Sequence, residues 1–254
     1  MDVTSTLAFF SIFLLIGFII IYIGFRFFKT KHLIENTPTS KIRSLAMGFA
    51  EVAGTVLPFN ERSVLISPFS NQKCVYYEYF IEEYRSSGKN SSWVTIRHEK
   101  EKRPFYIKDD TGKVLVDPTE AQIDLLKKNT YNSSLGKDPP ENVKRFLETQ
   151  NLRFEGILFG INKRMRYIEY LIRPNDRLYI MGTVKDNPYV KDASVTEGVE
   201  DMIITKGKNI KLFSIFDREE RRIVKKFSFI SYAFFLFGGI IIIATLIAIF
   251  KTVM

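Results

Sequence analysis

Hydrophobic residues crowd the two ends of the chain. Residues 3–25 carry no charge and neither do residues 227–250, giving uninterrupted apolar runs of 23 and 24 residues. At about 1.5 Å of rise per residue, each run would span roughly 35 Å as a helix, enough for a hydrocarbon core of about 30 Å. The pattern predicts a transmembrane helix over 3–25 and another over 227–250. The first run lacks the features of a cleavable signal: only Asp2 precedes it, and it ends in Phe25-Arg26-Phe27-Phe28 rather than in small residues. It reads as a retained anchor. Gly238-Gly239, inside the second run, would permit close helix approach.

Between the runs, residues 26–226 alternate as strands do. Residues 37–40 read as a helix start and 41–46 as a short helix ended by Gly48; 49–56 then alternates as a strand. Residues 74–84, rich in Tyr, Phe, Val and Ile, predict a long half-buried strand, turning at 86–92 into a partner over 93–97. Strands over 105–108 and 113–116 flank Asp109-Asp110-Thr111-Gly112, a hairpin signal in which the aspartates serve turn chemistry. Residues 117–140 are polar and read as irregular, and Pro139-Pro140 opens a helix through about Glu148. Strands over 166–172 and 177–184 bracket the turn Pro174-Asn175-Asp176. Two more are expected over 202–205 and 210–213, and Asp217 would cap a basic helix, 218–226, leading into the second span. The predicted fold is an α+β membrane protein, with two transmembrane helices flanking a mainly antiparallel β-rich domain that has a few short helices.

Charge supplies an orientation. Arg26, Lys29 and Lys31, with Arg218, Arg221, Arg222, Lys225 and Lys226, hug the inner ends of the spans, whereas only Lys251 lies outside them. By the positive-inside rule both termini face outward and the domain is cytoplasmic, in a multi-pass protein of the cell membrane. The net charge of +9 is shared with these flanks, where Arg218, Arg221, Arg222, Lys225 and Lys226 would meet anionic lipid headgroups. No recognition motif points to nucleic acid.

Candidate chemistry is sparse. One cysteine and two histidines build neither a disulfide framework nor a zinc site, and no cofactor is implied. Phosphate-loop, serine-elbow and zinc-protease motifs are absent. Cys74 reads as a buried structural thiol, and His98 as a solvated residue at a charged strand end. Glu82 and Glu83 point to opposite faces of a strand. The residues nominate no catalytic or metal-binding set.

One segment is nonetheless distinctive. Leu65-Ile66-Ser67-Pro68-Phe69-Ser70-Asn71-Gln72-Lys73-Cys74-Val75-Tyr76-Tyr77 resembles the L-x-S-P-x-S-x-x-x-C-V-Y-Y signature of the GIDE family. That family includes the mitochondrial ubiquitin ligase activator of NF-κB, the growth-inhibition and death E3 ligase. The stretch from Glu169 through Asp176 to Gly182 is similar to a second family element, with Asn175 where glycine is usual. Residues 213–220 are similar to the segment leading into the second span. The resemblance implies a helix–domain–helix plan with a "beside a membrane" domain, and marks Leu65, Ser67, Pro68, Ser70, Cys74, Val75, Tyr76, Glu169, Asp176 and Gly182 as family-motif residues. Ligase members add a RING holding two zinc ions through about eight Cys and His ligands, and this sequence holds three such residues. The expectation is a RING-less, prokaryotic-type member: a non-catalytic, membrane-anchored recognition or scaffold protein with an unidentified protein partner. The alternative is an E3 ubiquitin transferase family member, or a ligase subunit completed by a partner in trans, serving protein ubiquitination and organelle organisation as the family implies. An enzyme acting on lipid is a third reading, without a nucleophile to name.

Overall fold

A computed structural model describes residues 3–87, 90–126, 128–152, 163–188, 201–217 and 221–253. The chain forms two compact units: its two terminal helices, and residues 39–218. The helices are α1 (Val3–Glu35) and α3 (Arg221–Val253), both long and apolar enough to cross a membrane. They run antiparallel, since contacts move from Gly17 to Phe27 on α1 as they move from Ile242 to Phe227 on α3. Glycines set the approach. A Cβ on Gly17 would sit 2.6 Å from Ile242 Cγ1, and one on Gly238 would sit 3.1 Å from the Gly17 carbonyl oxygen. Gly239 faces open space, so only one of the pair serves packing. Phe27 stacks on Phe234 nearby.

Leucine at both Gly17 and Gly238 should therefore force the helices apart, an overpacking cost of about 1–3 kcal/mol. Oxidative cross-linking between cysteines placed at Gly24 and Phe234 would report it. A Cβ on Gly24 would lie 2.9 Å from that of Phe234, a small relaxation short of the roughly 3.5–4.5 Å that a disulfide spans, so the parent should cross-link and the leucine variant several-fold less. Equal yields would refute the packing role.

In the domain, β2 (Gly48–Pro58), β7 (Phe105–Lys108), β8 (Lys113–Val116), β13 (Met202–Thr205) and β12 (Arg177–Asp186) pair in that order, and β12 returns to pair with β2. The ring is a closed five-stranded barrel, which leaves no free edge among these strands. All its pairings are antiparallel except β8 with β13. Val52, Val56, Ile107, Val114, Val116, Leu178, Ile180, Val184 and Ile204, buried in one cluster, fill its core. Short strands continue the wall. β1 (Thr39–Ser40) pairs with β2 on the edge that also takes β7. β14 (Ser214–Phe216), with β9 (Gln122–Asp124) beyond it, pairs with β12 on the edge that also takes β13.

A second sheet has the order β10 (Lys128–Ser133), β11 (Met165–Ile172), β5 (Tyr76–Ser87) and β6 (Asn90–Lys102). One of its faces packs on helix α2 (Glu141–Thr149) around Tyr79, Ile81, Val143, Leu147, Met165 and Tyr167. The remaining strands, β3 (Leu65–Ile66) and β4 (Lys73–Cys74), form a small hairpin.

The antiparallel β-rich domain between terminal helices is as expected, with local corrections. Residues 41–46 hold only a 3₁₀ turn, Ile42–Ser44. The Asp109 carboxylate accepts the Ile42 amide and the Thr111 hydroxyl accepts that of Arg43, which ties this short turn to the 109–112 turn. Residues 210–213 are not a strand; β14 begins at Ser214, and it pairs with β12 rather than with β13. Residues 117–140, read as irregular, contain β9 and β10. The strands bracketing Pro174-Asn175-Asp176 do not pair with each other: β11 belongs to the second sheet and β12 to the barrel. Gly88 and Lys89 of the 86–92 turn lie outside the described residues. So does Arg218; of Arg221, Arg222, Lys225 and Lys226 only the helical backbone is described.

Candidate functional site

The motif residues converge on one buried carboxylate. Glu169 sits mid-strand on β11, between Asn129 of β10 and Tyr79 of β5 in the register, and none of its surface is exposed. An acid there needs donors, because unpaired burial of a charge costs several kcal/mol. The Ser67-Pro68-Phe69-Ser70 loop supplies most of them. The Phe69 amide donates to Oε1 at 2.8 Å and the Ser70 amide at 3.4 Å, while the Ser70 hydroxyl donates to Oε2 at 2.6 Å. Asn129 adds Nδ2 at 3.4 Å.

The loop is closed internally too. The Ser67 and Ser70 hydroxyls are 2.8 Å apart, and Ser67 Oγ accepts the Gln72 amide at 3.0 Å. Asn71 takes φ 53°, a left-handed conformation that asparagine tolerates. This turn drives the Phe69 ring, 1% exposed, into the aromatic core beside Tyr79, Phe146 and Tyr167, with centroids 5.1, 5.4 and 5.9 Å away.

Leu65 pairs with Cys74 across the small hairpin. Cys74 is fully buried, its Sγ 3.7 Å from the Leu65 carbonyl oxygen. Burial first, and the charge of Glu169 second, push its thiol up to about 12. It is a protonated, packed thiol at neutral pH. Val75 and Tyr76 are buried beside it, and the Tyr76 hydroxyl donates to Glu78. Asp176 accepts the Arg173 amide at 2.9 Å and its guanidinium at 3.3 Å, and Arg173 also reaches Gln72. The second motif element is thus tied to the first. Asn175, standing in for glycine, has φ 70°, the conformation that makes glycine the usual choice. Gly182 lies apart from this group, in the barrel, where a Cβ would meet Ile204 Cγ2 at 2.7 Å and Phe213 Cδ2 at 2.8 Å.

The cluster can hold a loop, and it is poorly arranged for catalysis. Ser70 beside a carboxylate suggests a nucleophile with a base, but the amides that would polarise a substrate carbonyl already donate to that same carboxylate. A cleft of about 310 Å³ beside Glu169 is lined by Lys128, Asn129, Leu171 and Arg173. Glu82 and Glu83 engage separate partners, Arg166 for one and Arg85 with Lys163 for the other. His98 is exposed, as expected, yet lies mid-strand on β6, stacked on Phe80 at 4.2 Å and bonded to Glu78. Asp109 accepts from Thr111 and Gly112, confirming turn chemistry. Among the described residues no group of three or more His, Cys, Asp or Glu could hold a metal ion. Sequence reasoning missed Asn129, which only the pairing of β10 with β11 brings to Glu169, and gave no role to Gln72 and Arg173, which link the two motif elements.

The Cys74 thiol gives a direct test. Its folded value lies above the ordinary 9.0, so the stability it contributes is complete below pH 9 and is lost as pH rises towards 12. Tyr79, pushed up to about 12 by burial and by its bond to Glu99, acts in the same direction. The folded chain should resist maleimide at pH 7, label at once in denaturant, and lose stability above pH 9. Rapid labelling of the native chain would contradict this.

Among known proteins, the family model described as "GIDE: E3 Ubiquitin ligase" matches residues 76–246. The match takes in Tyr76, Glu169, Asp176 and Gly182, while the Ser67–Ser70 loop and Cys74 precede it. No curated protein and no solved structure matches the chain. The match relates the chain to E3 ubiquitin ligation and covers more than half of its 254 residues: the chain belongs to the GIDE family.

Proposed function

We propose that this chain is a membrane-anchored, non-catalytic recognition or scaffold module of ubiquitin-ligase type. The observation that carries the reading is the use made of its reactive groups. Cys74, Ser67, Ser70 and Glu169 all serve to pack one loop, and these 254 residues hold three Cys and His against the eight of a RING. Ubiquitin transfer would then be completed by groups from elsewhere, with this domain choosing or placing the target. The two apolar helices are compatible with membrane association. The basic flanks Arg26, Lys29 and Lys31, with Arg218, Arg221, Arg222, Lys225 and Lys226, support a cytoplasmic domain in contact with anionic lipid. The family match favours a second reading, a ligase subunit acting with a RING partner in trans.

Proximity labelling by the full chain in its native membrane, with the tag in the 86–92 turn, separates these readings. The scaffold reading expects membrane proteins of the cytoplasmic side. Enrichment of a RING protein or a conjugating enzyme establishes the subunit reading. Labelling confined to the outer face overturns the orientation.

A further inference from the structure

A second cleft, of about 710 Å³, opens on the outer wall of the barrel. Its lining includes Lys41, Thr55, Lys108 and Arg177, together with the carboxylates of Asp109 and Asp110. Two registers explain why these side chains meet. Arg177 of β12 lies opposite Thr55 of β2, and Thr55 lies opposite Lys108 of β7. The three form one row across three adjacent strands, where opposed side chains on a face stand about 5 Å apart. A guanidinium and an ammonium thus flank a hydroxyl. Lys41 closes a third side, near enough to Arg177 for the two cations to oppose each other.

The nearby carboxylates are already occupied. Asp109 accepts from Ile42, Thr111 and Gly112, and Asp110 pairs with Lys41 at 2.5 Å. The side chains of Lys108 and Arg177 have no ion-pair or hydrogen-bond partner among the described residues. Three cations, Lys41, Lys108 and Arg177, face only two carboxylates, Asp109 and Asp110, in this cleft, so part of the positive charge is left over and a bound anion would offset it. The donor set fits a tetrahedral oxyanion: a planar fork for two oxygens, an ammonium for a third, and a hydroxyl between them.

We infer that Arg177, Lys108 and Thr55 form a binding site for a phosphomonoester, carried either by a lipid headgroup or by a soluble metabolite. The site is independent of the helix flanks, because none of its residues lies there.

The test uses the full chain in phosphatidylcholine nanodiscs. Calorimetry with glycerol 3-phosphate probes the soluble source. Native mass spectrometry from nanodiscs containing one-tenth phosphatidic acid counts retained lipid and probes the other. The double substitution Lys108→Gln, Arg177→Gln should weaken whichever binding is seen at least tenfold, with Arg177→Lys intermediate and the melting temperature unchanged. Lys211→Gln, an exposed lysine outside the cleft, should bind like the parent. Binding of glycerol 3-phosphate identifies a soluble ligand, and retention of phosphatidic acid alone identifies a lipid. The site is disproved if the parent binds neither probe, if the double variant binds like the parent, or if Lys211→Gln weakens binding equally.

Discussion

Replacing Glu169 by alanine should destabilise the domain by about 3–5 kcal/mol, because several donors buried around its carboxylate lose their acceptor at about 1–3 kcal/mol each. Phe69 N, Ser70 N, Ser70 Oγ and Asn129 Nδ2 all point to it, and none of its own surface is exposed. For a domain of this size the melting temperature should fall on the order of 10 °C. Trp93, the single tryptophan, lies on β6 of the same sheet and reports unfolding by fluorescence. Glutamine at the position keeps one acceptor and should cost less. Hydrogen exchange adds a local readout: the Phe69 and Ser70 amides should lose protection first. A variant melting within two degrees of the parent, with those amides still protected, would mean that the carboxylate does not hold the loop.

Phe69→Ala attacks the same loop from its other side, and should cost about 3–5 kcal/mol as a large buried ring replaced by a cavity. The ring meets Tyr79, Phe146, Tyr167 and, at 6.5 Å, Tyr131. Leucine would refill part of the space and should cost less than half as much. The two substitutions share one element, so their effects should not add. Once Glu169 is gone and the loop has loosened, losing the ring matters less, and the double variant should sit clearly above the sum in stability. Strict additivity, measured by denaturant or thermal unfolding of all four chains, would show that the loop and the aromatic core are independent.

Both results bear on why the family signature has its form. Ser67 and Ser70 lie about a hundred positions before Glu169, yet the three form one hydrogen-bonded unit. Proline and asparagine shape the turn, and Phe69 anchors it. The signature therefore specifies a folded loop on a sheet.

The strand β10 shows why part of this was invisible. Residues 128–133 are polar, and polarity suggested an irregular segment. Their inward positions are occupied by groups that serve buried polar partners: Asn129 bonds to Glu169, and Ser133 lies 3.2 Å from the Tyr167 hydroxyl. A core containing an acid and a tyrosine hydroxyl needs such neighbours, so the usual apolar alternation fails there. The phosphomonoester cleft was hidden for a different reason. Lys108 and Arg177 are ordinary surface cations in the sequence, and only the pairing of both strands with β2 sets them on either side of Thr55.

Sequence alone determined the two apolar helices, since the length of a charge-free run is a local property and a bilayer demands a fixed one. It also determined the 109–112 turn, the family signature, and the long strand expected over 74–84, which in the fold runs from Tyr76 to Ser87. All of these rest on spacing within a few residues or on an unbroken run. Tertiary structure alone decided the closure of β2 on β12, the assignment of β11 and β12 to different sheets, and the meeting of Ser70 with Glu169. Period-two patterning says which face of a strand is buried and is silent about its partner. Partners separated by a hundred residues are selected by the packing of the whole domain.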